Sequence, residues 1–574
     1  MTELVNRRRE NPLSTKNYAL IFGLGCLLGA AVFILVYGIR VINPTYDDWI
    51  FDCWDIPQHY FGWIFYRNSE WLFPIGNLNG LCTQPISIIY TDCIPLFAIF
   101  FKILSPILPA TFQYLGIWGV FSFALQGGIS ALLIRKFTAS IPVCLISSMF
   151  FVLSPVVFRK LYLHSSFAGH WVILLIFLVW FYRKSFMKTW QLTVIWSSLG
   201  VIALLVTIYF DVFVFIALLG FLVMDWWENK KIFRVIIIFI STLASALLAM
   251  YLIGGFSGNF SAGGGGLGYH SANLNSLYNS MSNFIDISFN PGNKGLTSIL
   301  SNGFPIYCRG QYEGFSYMGA GAILTSIFAL AASIAYIISH GMKETFKLIW
   351  QFKKQALPLL GVMLILLVLA LSPVVTFNDK LLFTIPYPEK IINLLSIFRT
   401  SGRFMWMIMY CVDLFSIYLI IKSNKTKAAA IILSICMCMQ VIDLFDMMHS
   451  LNNVYTTQVT HVSVLQDPIW EELALTCDEI VFLSIPSNYL GYSRMYYDFA
   501  EYAVQNNMHL SSFYLARDNY DYISSIASIE ENNISSGRAK KTCIYVFIDP
   551  QAAITEAPNF TLKSVNGYLI GLAT

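Results

Sequence analysis

"YALIFGLGCLLGAAVFILVYGIRV", residues 18–41, decides the fold class. A nearly unbroken apolar run of this length crosses a hydrocarbon core about 30 Å thick when coiled as an α-helix. It is too long for a signal-peptide core and has no small-residue cleavage site, so it reads as a retained helix. Runs of the same kind recur along most of the 574 residues and are too continuous for the strands of a membrane barrel. Composition agrees: 57% hydrophobic residues, 12% charged and a mean hydropathy of +0.63 describe a multi-pass membrane protein. No basic stripe interleaved with aromatics suggests nucleic-acid binding. The 11 cysteines form no CxxC pair and no zinc spacing. Cys436 and Cys438 read as packing residues, whereas Cys53, Cys82, Cys93, Cys308, Cys477 and Cys543 fall in outer segments open to disulfide pairing.

Working outward, basic clusters orient the bundle, because cytoplasmic loops carry an excess of Lys and Arg. They are Arg7-Arg8-Arg9, Arg135-Lys136, Arg183 to Lys188, Lys230 to Arg234, Lys343 to Lys354 and Lys422 to Lys427. All six share one side only if 92–108, interrupted by Pro95, Lys102 and Pro106, is re-entrant or juxtamembrane rather than a full crossing. The expected fold is then mainly α: a polytopic bundle of about 11 crossings over residues 1–446, N-terminus cytoplasmic. Outer loops span 42–111, 255–316 and 376–403. Residues 447–574, with alternating runs "EIVFLSI" and "TCIYVFI" and a helical stretch around Tyr496 to Asn507, form a small extracytoplasmic α/β or α+β domain.

Chemistry concentrates in the outer loops. In "YDDWIFDCWDIPQHYFGW", residues 46–63, Asp48, Asp52 and Asp55 stand at i, i+4 and i+7, one face of a helix that Pro57 would end. Such a carboxylate group raises a pKa or recruits a cation, which suits a general base or a divalent metal site (Mg or Mn). The plainer alternative is solvated charges and caps in the headgroup layer. Asp92 precedes the interrupted apolar run and either reaches back to these acids or caps a helix. "RKLYLHSSFAGHW" puts Arg159, Lys160, His164 and His170 at an outer mouth, where they suit a lipid phosphate or snorkel to headgroups. Arg399 and Arg403 in "FRTSGRFMW" add an i, i+4 anion site. Gly263 to Gly266 mark a mobile loop or a plain connector, followed by Tyr269, His270 and Asn273; Arg309 and Glu313 sit at the lip of the next helix.

Taken in order, "DIPQHYFGWIFYR", "SIIYTDCIPLFAIFFK", "AGHWVILL", "YHSANL", "QYEGFSYMGAG", "TSGRFMW" and "QDPIWEEL" resemble a family of bacterial multi-pass membrane proteins known as a domain of unknown function. That family looks distantly related to the GT-C glycosyltransferases. The resemblance implies a GT-C-like bundle whose first outer loop carries the catalytic acid, and a sugar donor linked to a polyprenyl phosphate. Asp48, Asp55 and Asp92 are then the catalytic candidates, with Arg159, His164, His170, Arg399 and Arg403 on the donor phosphate, and Tyr269, His270, Asn273 and Glu313 in a substrate loop. The chain departs from the strict paired-acid form, so Asp48 and Asp55 both stay open. The resulting expectation is a glycosyltransferase of the bacterial plasma membrane acting on a cell-envelope polysaccharide, teichoic acid or glycolipid at the outer face. The rivals are a lipid-linked glycan flippase and a membrane acyltransferase built on His164 or His170.

Overall fold

The structure, a computed structural model, describes residues 15–51, 55–185, 188–257, 266–281, 298–300, 303–457, 460–517, 520–554 and 556–574. Arg7 to Arg9, Asp52, Cys53 and Gly263 to Gly265 lie outside the described residues. Ten helices within them are long and apolar enough to cross a membrane, and a bent pair, Ile141–Val152 with Pro155–Leu161, makes an eleventh. The 48° bend falls at Pro155, where the missing N–H and the ring's clash with the preceding turn interrupt the helical ladder. In chain order the ten are Asn17–Tyr37, Leu115–Arg135, Ser165–Ser185, Thr189–Val206, Ile208–Asn229, Ile232–Leu252, Ala320–His340, Lys353–Leu371, Ser401–Ser423 and Thr426–Thr456. The last helix runs ten residues past the expected boundary at 446, so the link to the C-terminal domain is itself helical at first.

Small residues set the central contact. A Cβ on Gly29 would lie 2.0 Å from the Phe123 carbonyl oxygen, and one on Gly127 2.2 Å from that of Gly25. Helices Thr15–Tyr37 and Leu115–Arg135 therefore meet backbone to backbone, as small residues four apart allow between membrane helices. This junction pins both ends of the intervening loop to one end of the bundle.

That loop is a folded layer. Helix Ile56–Asn68 is buried throughout its first eleven residues, and a short hairpin pairs Asn77–Leu78 with Ile86–Ser87. Pro95–Leu104 is a ten-residue helix, about 15 Å long and too short to cross, which agrees with a juxtamembrane reading. Its Lys102 is buried over the Tyr66 and Trp71 rings, 4.0 and 4.7 Å from their centroids. The acidic stretch departs from expectation: Asp48 lies in a turn, and Asp55 occupies the N-cap position of helix Ile56–Asn68. Pro57 opens this helix rather than ending one, since a first-turn proline loses no hydrogen bond. Asp48 and Asp55 thus do not share a helical face.

The C-terminal domain holds a five-stranded sheet in the spatial order His509–Leu510, Glu479–Leu483, Cys543–Phe547, Tyr568–Ala573, Phe560–Val565. The first three strands are parallel, joined through helices Ser493–Asn506 and Tyr520–Ser535, and the last two are antiparallel. All five residues of Cys543–Phe547 are buried, which explains its continuous rather than alternating apolar run. The loop between the first two crossings covers the sheet's edge: Leu510 N–H donates to the Gly80 carbonyl at 2.7 Å and Thr83 N–H to that of Ser511 at 3.2 Å. The loop is thereby held between bundle and domain. No disulfide links the described cysteines.

Candidate active site

Glu313 is the hub. It sits in a short 3-10 turn, Arg309–Gly314, and is 3% exposed. Its Oε2 accepts from Lys160 Nζ at 2.7 Å and from Arg403 Nε and Nη2 at 3.0 and 2.9 Å. Its Oε1 lies 3.5 Å from His164 Nε2, and His164 Nδ1 is 3.0 Å from Asp55 Oδ2. Two distant segments therefore converge on one carboxylate, and Asp55 joins a third to it through His164. Proline opens the helix Pro155–Leu163 that carries Lys160, with His164 just past its last turn. Arg403 lies in the turn Ser401–Phe404, held close because a Cβ on Gly402 would come within 2.6 Å of Gly314 Cα. Gly402 N–H also donates to the His270 carbonyl at 2.9 Å, tying the loop before Glu313 to the arginine's own turn.

The electrostatics follow from this packing. Burial alone would raise the Glu313 carboxyl, but Arg403 and Lys160 hold it well below the usual range. Burial likewise opposes ionisation of Asp55 and His164, and their mutual attraction overrides it: Asp55 is lowered and His164 raised. Asp92 differs, since burial dominates and raises it despite the neighbouring His164, Arg403 and Arg399. It sits at φ 53°, two residues before buried Ile94 at φ 58°, a left-handed conformation unusual for a β-branched side chain. Strain of about 1–3 kcal/mol is thus held beside the carboxylate. His59, fully buried with both ring nitrogens unpartnered among the described residues, is pushed down to about 3 by burial and stays neutral.

Arg159 is the anomaly. It is 0% exposed, and none of its three guanidinium nitrogens has a hydrogen-bond partner among the described residues. Rings flank it, Phe315 at 4.8 Å and Tyr312 at 5.6 Å. With protonated His164, the cations Arg159, Lys160 and Arg403 outnumber Asp55 and Glu313 by four to two. An ionised Asp92 and Arg399 cancel each other. The cluster therefore suits an anion, because buried charge is costly unless it is paired.

The remaining candidates divide. Asp48 accepts from the His461 backbone N–H at 3.0 Å, so its carboxylate ties the loop to the C-terminal domain. With Asp48 and Asp55 on different partners, and no group of three potential metal ligands among the described residues, these acids do not fit a divalent-cation site. Arg399 is exposed beside Gly266, where a Cβ on the glycine would meet its own Cβ at 2.9 Å. His170 lies deeper in the bundle, its Nδ1 2.8 Å from the Tyr410 hydroxyl, and belongs to a separate polar chain reaching Gln126. Asn273 is structural, donating to Gln311 and to the Asn378 carbonyl. His270 Nδ1 meets the Gly310 carbonyl at 2.9 Å, and Tyr269 is half exposed above it. Lys160, His59 and Tyr514, which faces Asp55 and Arg399 from the C-terminal domain, complete the site. The Arg-Lys pair already pointed to Lys160, whereas nothing in "SSFYLAR" singles out the tyrosine.

Comparison with known proteins is sparse. No curated protein matches the chain. A family model described as DUF6311 C-terminal domain matches residues 469–573. Residues 26–445, well over half of the chain, match the model described as Domain of unknown function (DUF6311), and the chain belongs to that family of multi-pass membrane proteins.

Proposed function

We propose that the chain is a membrane glycosyltransferase of GT-C type, moving a sugar from a polyprenyl-phosphate donor to a cell-envelope acceptor. The observation that carries this reading is Arg159, a buried guanidinium without an acceptor among the described residues, placed beside Lys160 and Arg403 at the end of the bundle that holds Asp55 and Asp92. Basic residues at the opposite end support reading that end as cytoplasmic and the site as facing the outer side of a bacterial plasma membrane. In the step proposed, the acceptor hydroxyl loses its proton to a carboxylate and its oxygen forms the new bond to the anomeric carbon. The old bond to the phosphate oxygen breaks, and the phosphate leaves with the electron pair. Asp92 is the favoured base, since burial raises it toward the working range and Asp55 is already paired with His164. Arg159, Lys160 and Arg403 stabilise the second negative charge that the leaving phosphate gains.

The test compares membranes carrying wild type, Asp92→Asn, Arg159→Met and Asp48→Asn for transfer of radiolabelled sugar from a polyprenyl-phosphate donor pool. Loss of about 10²–10⁴-fold is expected for Asp92→Asn, while Asp48→Asn retains transfer. Wild-type transfer in the first two variants would sink the mechanism. Comparing Asp55 with His164 variants cannot separate this reading from an acyltransferase, because each group holds the other. A transporter reading draws on the buried His170, Tyr410 and Gln126 chain and on buried Asp413. It predicts that proteoliposomes move a labelled glycolipid between leaflets without any sugar transfer.

A further inference from the structure

Between the crossings Lys353–Leu371 and Met405–Ser423 the chain builds a hairpin, Val374–Phe377 with Lys380–Thr384, and then helix Glu389–Ser396. The inner strand is locked to the protein. Gln311 Nε2 donates to Thr376 Oγ1 at 2.7 Å, Leu274 N–H to the Thr376 carbonyl at 3.1 Å, and Asn273 Nδ2 to the Asn378 carbonyl at 2.8 Å. The base of the hairpin is closed by Ile385 N–H on the Pro373 carbonyl and by the Ser372 and Tyr387 hydroxyls. The outer strand is different: all five residues of "KLLFT" are exposed, including Leu381, Leu382 and Phe383 in a row. Helix Glu389–Ser396 buries none of its residues and exposes Ile391, Ile392 and Leu394, while Glu389, Lys390 and Asn393 supply its polar positions.

A well-fastened edge strand and an amphipathic helix do not present this much apolar surface to water. The hairpin follows directly from the end of one membrane-crossing helix and the short helix leads into the start of the next, so their exposed side chains continue the lipid-facing surface of the bundle. We infer that residues 377–396 lie in the headgroup and upper acyl layer of the leaflet on the site side, with the side chains of Leu381, Leu382, Phe383, Ile392 and Leu394 among lipid chains. An amphipathic segment of this kind settles about 5–10 Å into that boundary. Its C-terminal end leads within a few residues to Arg399 and Arg403, so the platform is the edge over which a lipid-borne anion reaches the cluster. The placement in lipid stands whether or not the transfer chemistry is right.

The test places a fluorescent apolar amino acid at Leu382, at Leu394 or, as reference, at exposed Ile529 of the C-terminal domain, in the full chain reconstituted into phosphatidylethanolamine and phosphatidylglycerol vesicles. Lipids with a nitroxide near the top of the acyl chain should quench the first two probes several-fold more than the third. Aqueous iodide should show the reverse order. Each replacement exchanges one exposed apolar group for another, so folding is preserved. Equal access to iodide at Leu382, Leu394 and Ile529 would overturn the assignment.

Discussion

The two ends of the bundle use the same residue types to opposite purposes. At the basic end several cations have one local partner each: Arg183 meets Glu228 at 2.8 Å, Arg234 meets Asp225 at 2.9 Å, and Lys230 and Lys353 lie over the Trp226 and Trp350 rings. Lys422 reaches across to the Phe137 carbonyl at 2.9 Å, tying neighbouring helix ends. At the other end the cations share: Lys160, Arg403 and His164 converge on Glu313, and buried Arg159 has no hydrogen-bond acceptor among the described residues. Charge paired one to one near the surface anchors and orients. Charge buried in excess of its counter-charge is arranged for something that arrives.

This contrast can be broken most severely at the hub. Glu313→Gln leaves buried Lys160 and Arg403 without their carboxylate and should cost about 3–5 kcal/mol, read as a lower midpoint in thermal unfolding of the detergent-solubilised protein. A stability unchanged by the substitution would show that the cations already have other counter-charge. The His164–Asp55 pair comes next, at about 1.5–3 kcal/mol, the range for a hydrogen bond to a charged group. Its sign depends on pH from both sides. Asp55 is lowered, so its contribution is complete above the ordinary value of 3.8 and is lost as pH falls through the folded value. His164 is raised, so its contribution is complete below 6.5 and is lost as pH rises through the folded value. Stability relative to His164→Gln should therefore be greatest between those two values and decline on either side. A difference that stays flat from well below 3.8 to well above 6.5 would remove the ion pair.

Arg159→Met has the opposite expected sign. Removing an unpartnered buried cation should raise stability by on the order of 1 kcal/mol while abolishing transfer, the mark of a residue retained for function rather than folding. At the basic end, Arg183→Gln breaks a partly exposed pair and should cost less than about 1 kcal/mol with transfer intact. If Arg183→Gln proved as damaging as Glu313→Gln, the distinction between the two ends would fail.

The expected crossings, the juxtamembrane segment 92–108 and the α/β tail were legible because each rests on local pattern: apolar runs, helix-breaking prolines and strand-like alternation. The acidic stretch was legible only in composition. Spacing put Asp48 and Asp55 on one helical face, but a proline two residues past Asp55 starts a helix there, and that separates them. Asn273 shows the same limit, since a polar loop residue that looks available is fully engaged with Gln311 and Asn378.

The sequence by itself determined the membrane class, the sidedness of charge and the set of ionisable residues from which any site must be drawn, because those depend on composition and periodicity along the chain. Only the tertiary structure decided that Glu313 gathers Lys160, His164 and Arg403, that Asp48 instead braces the C-terminal domain, and that Arg159 is left without an acceptor. Those outcomes turn on which distant segments meet in three dimensions and on how little water reaches them, and neither is encoded in spacing along the chain.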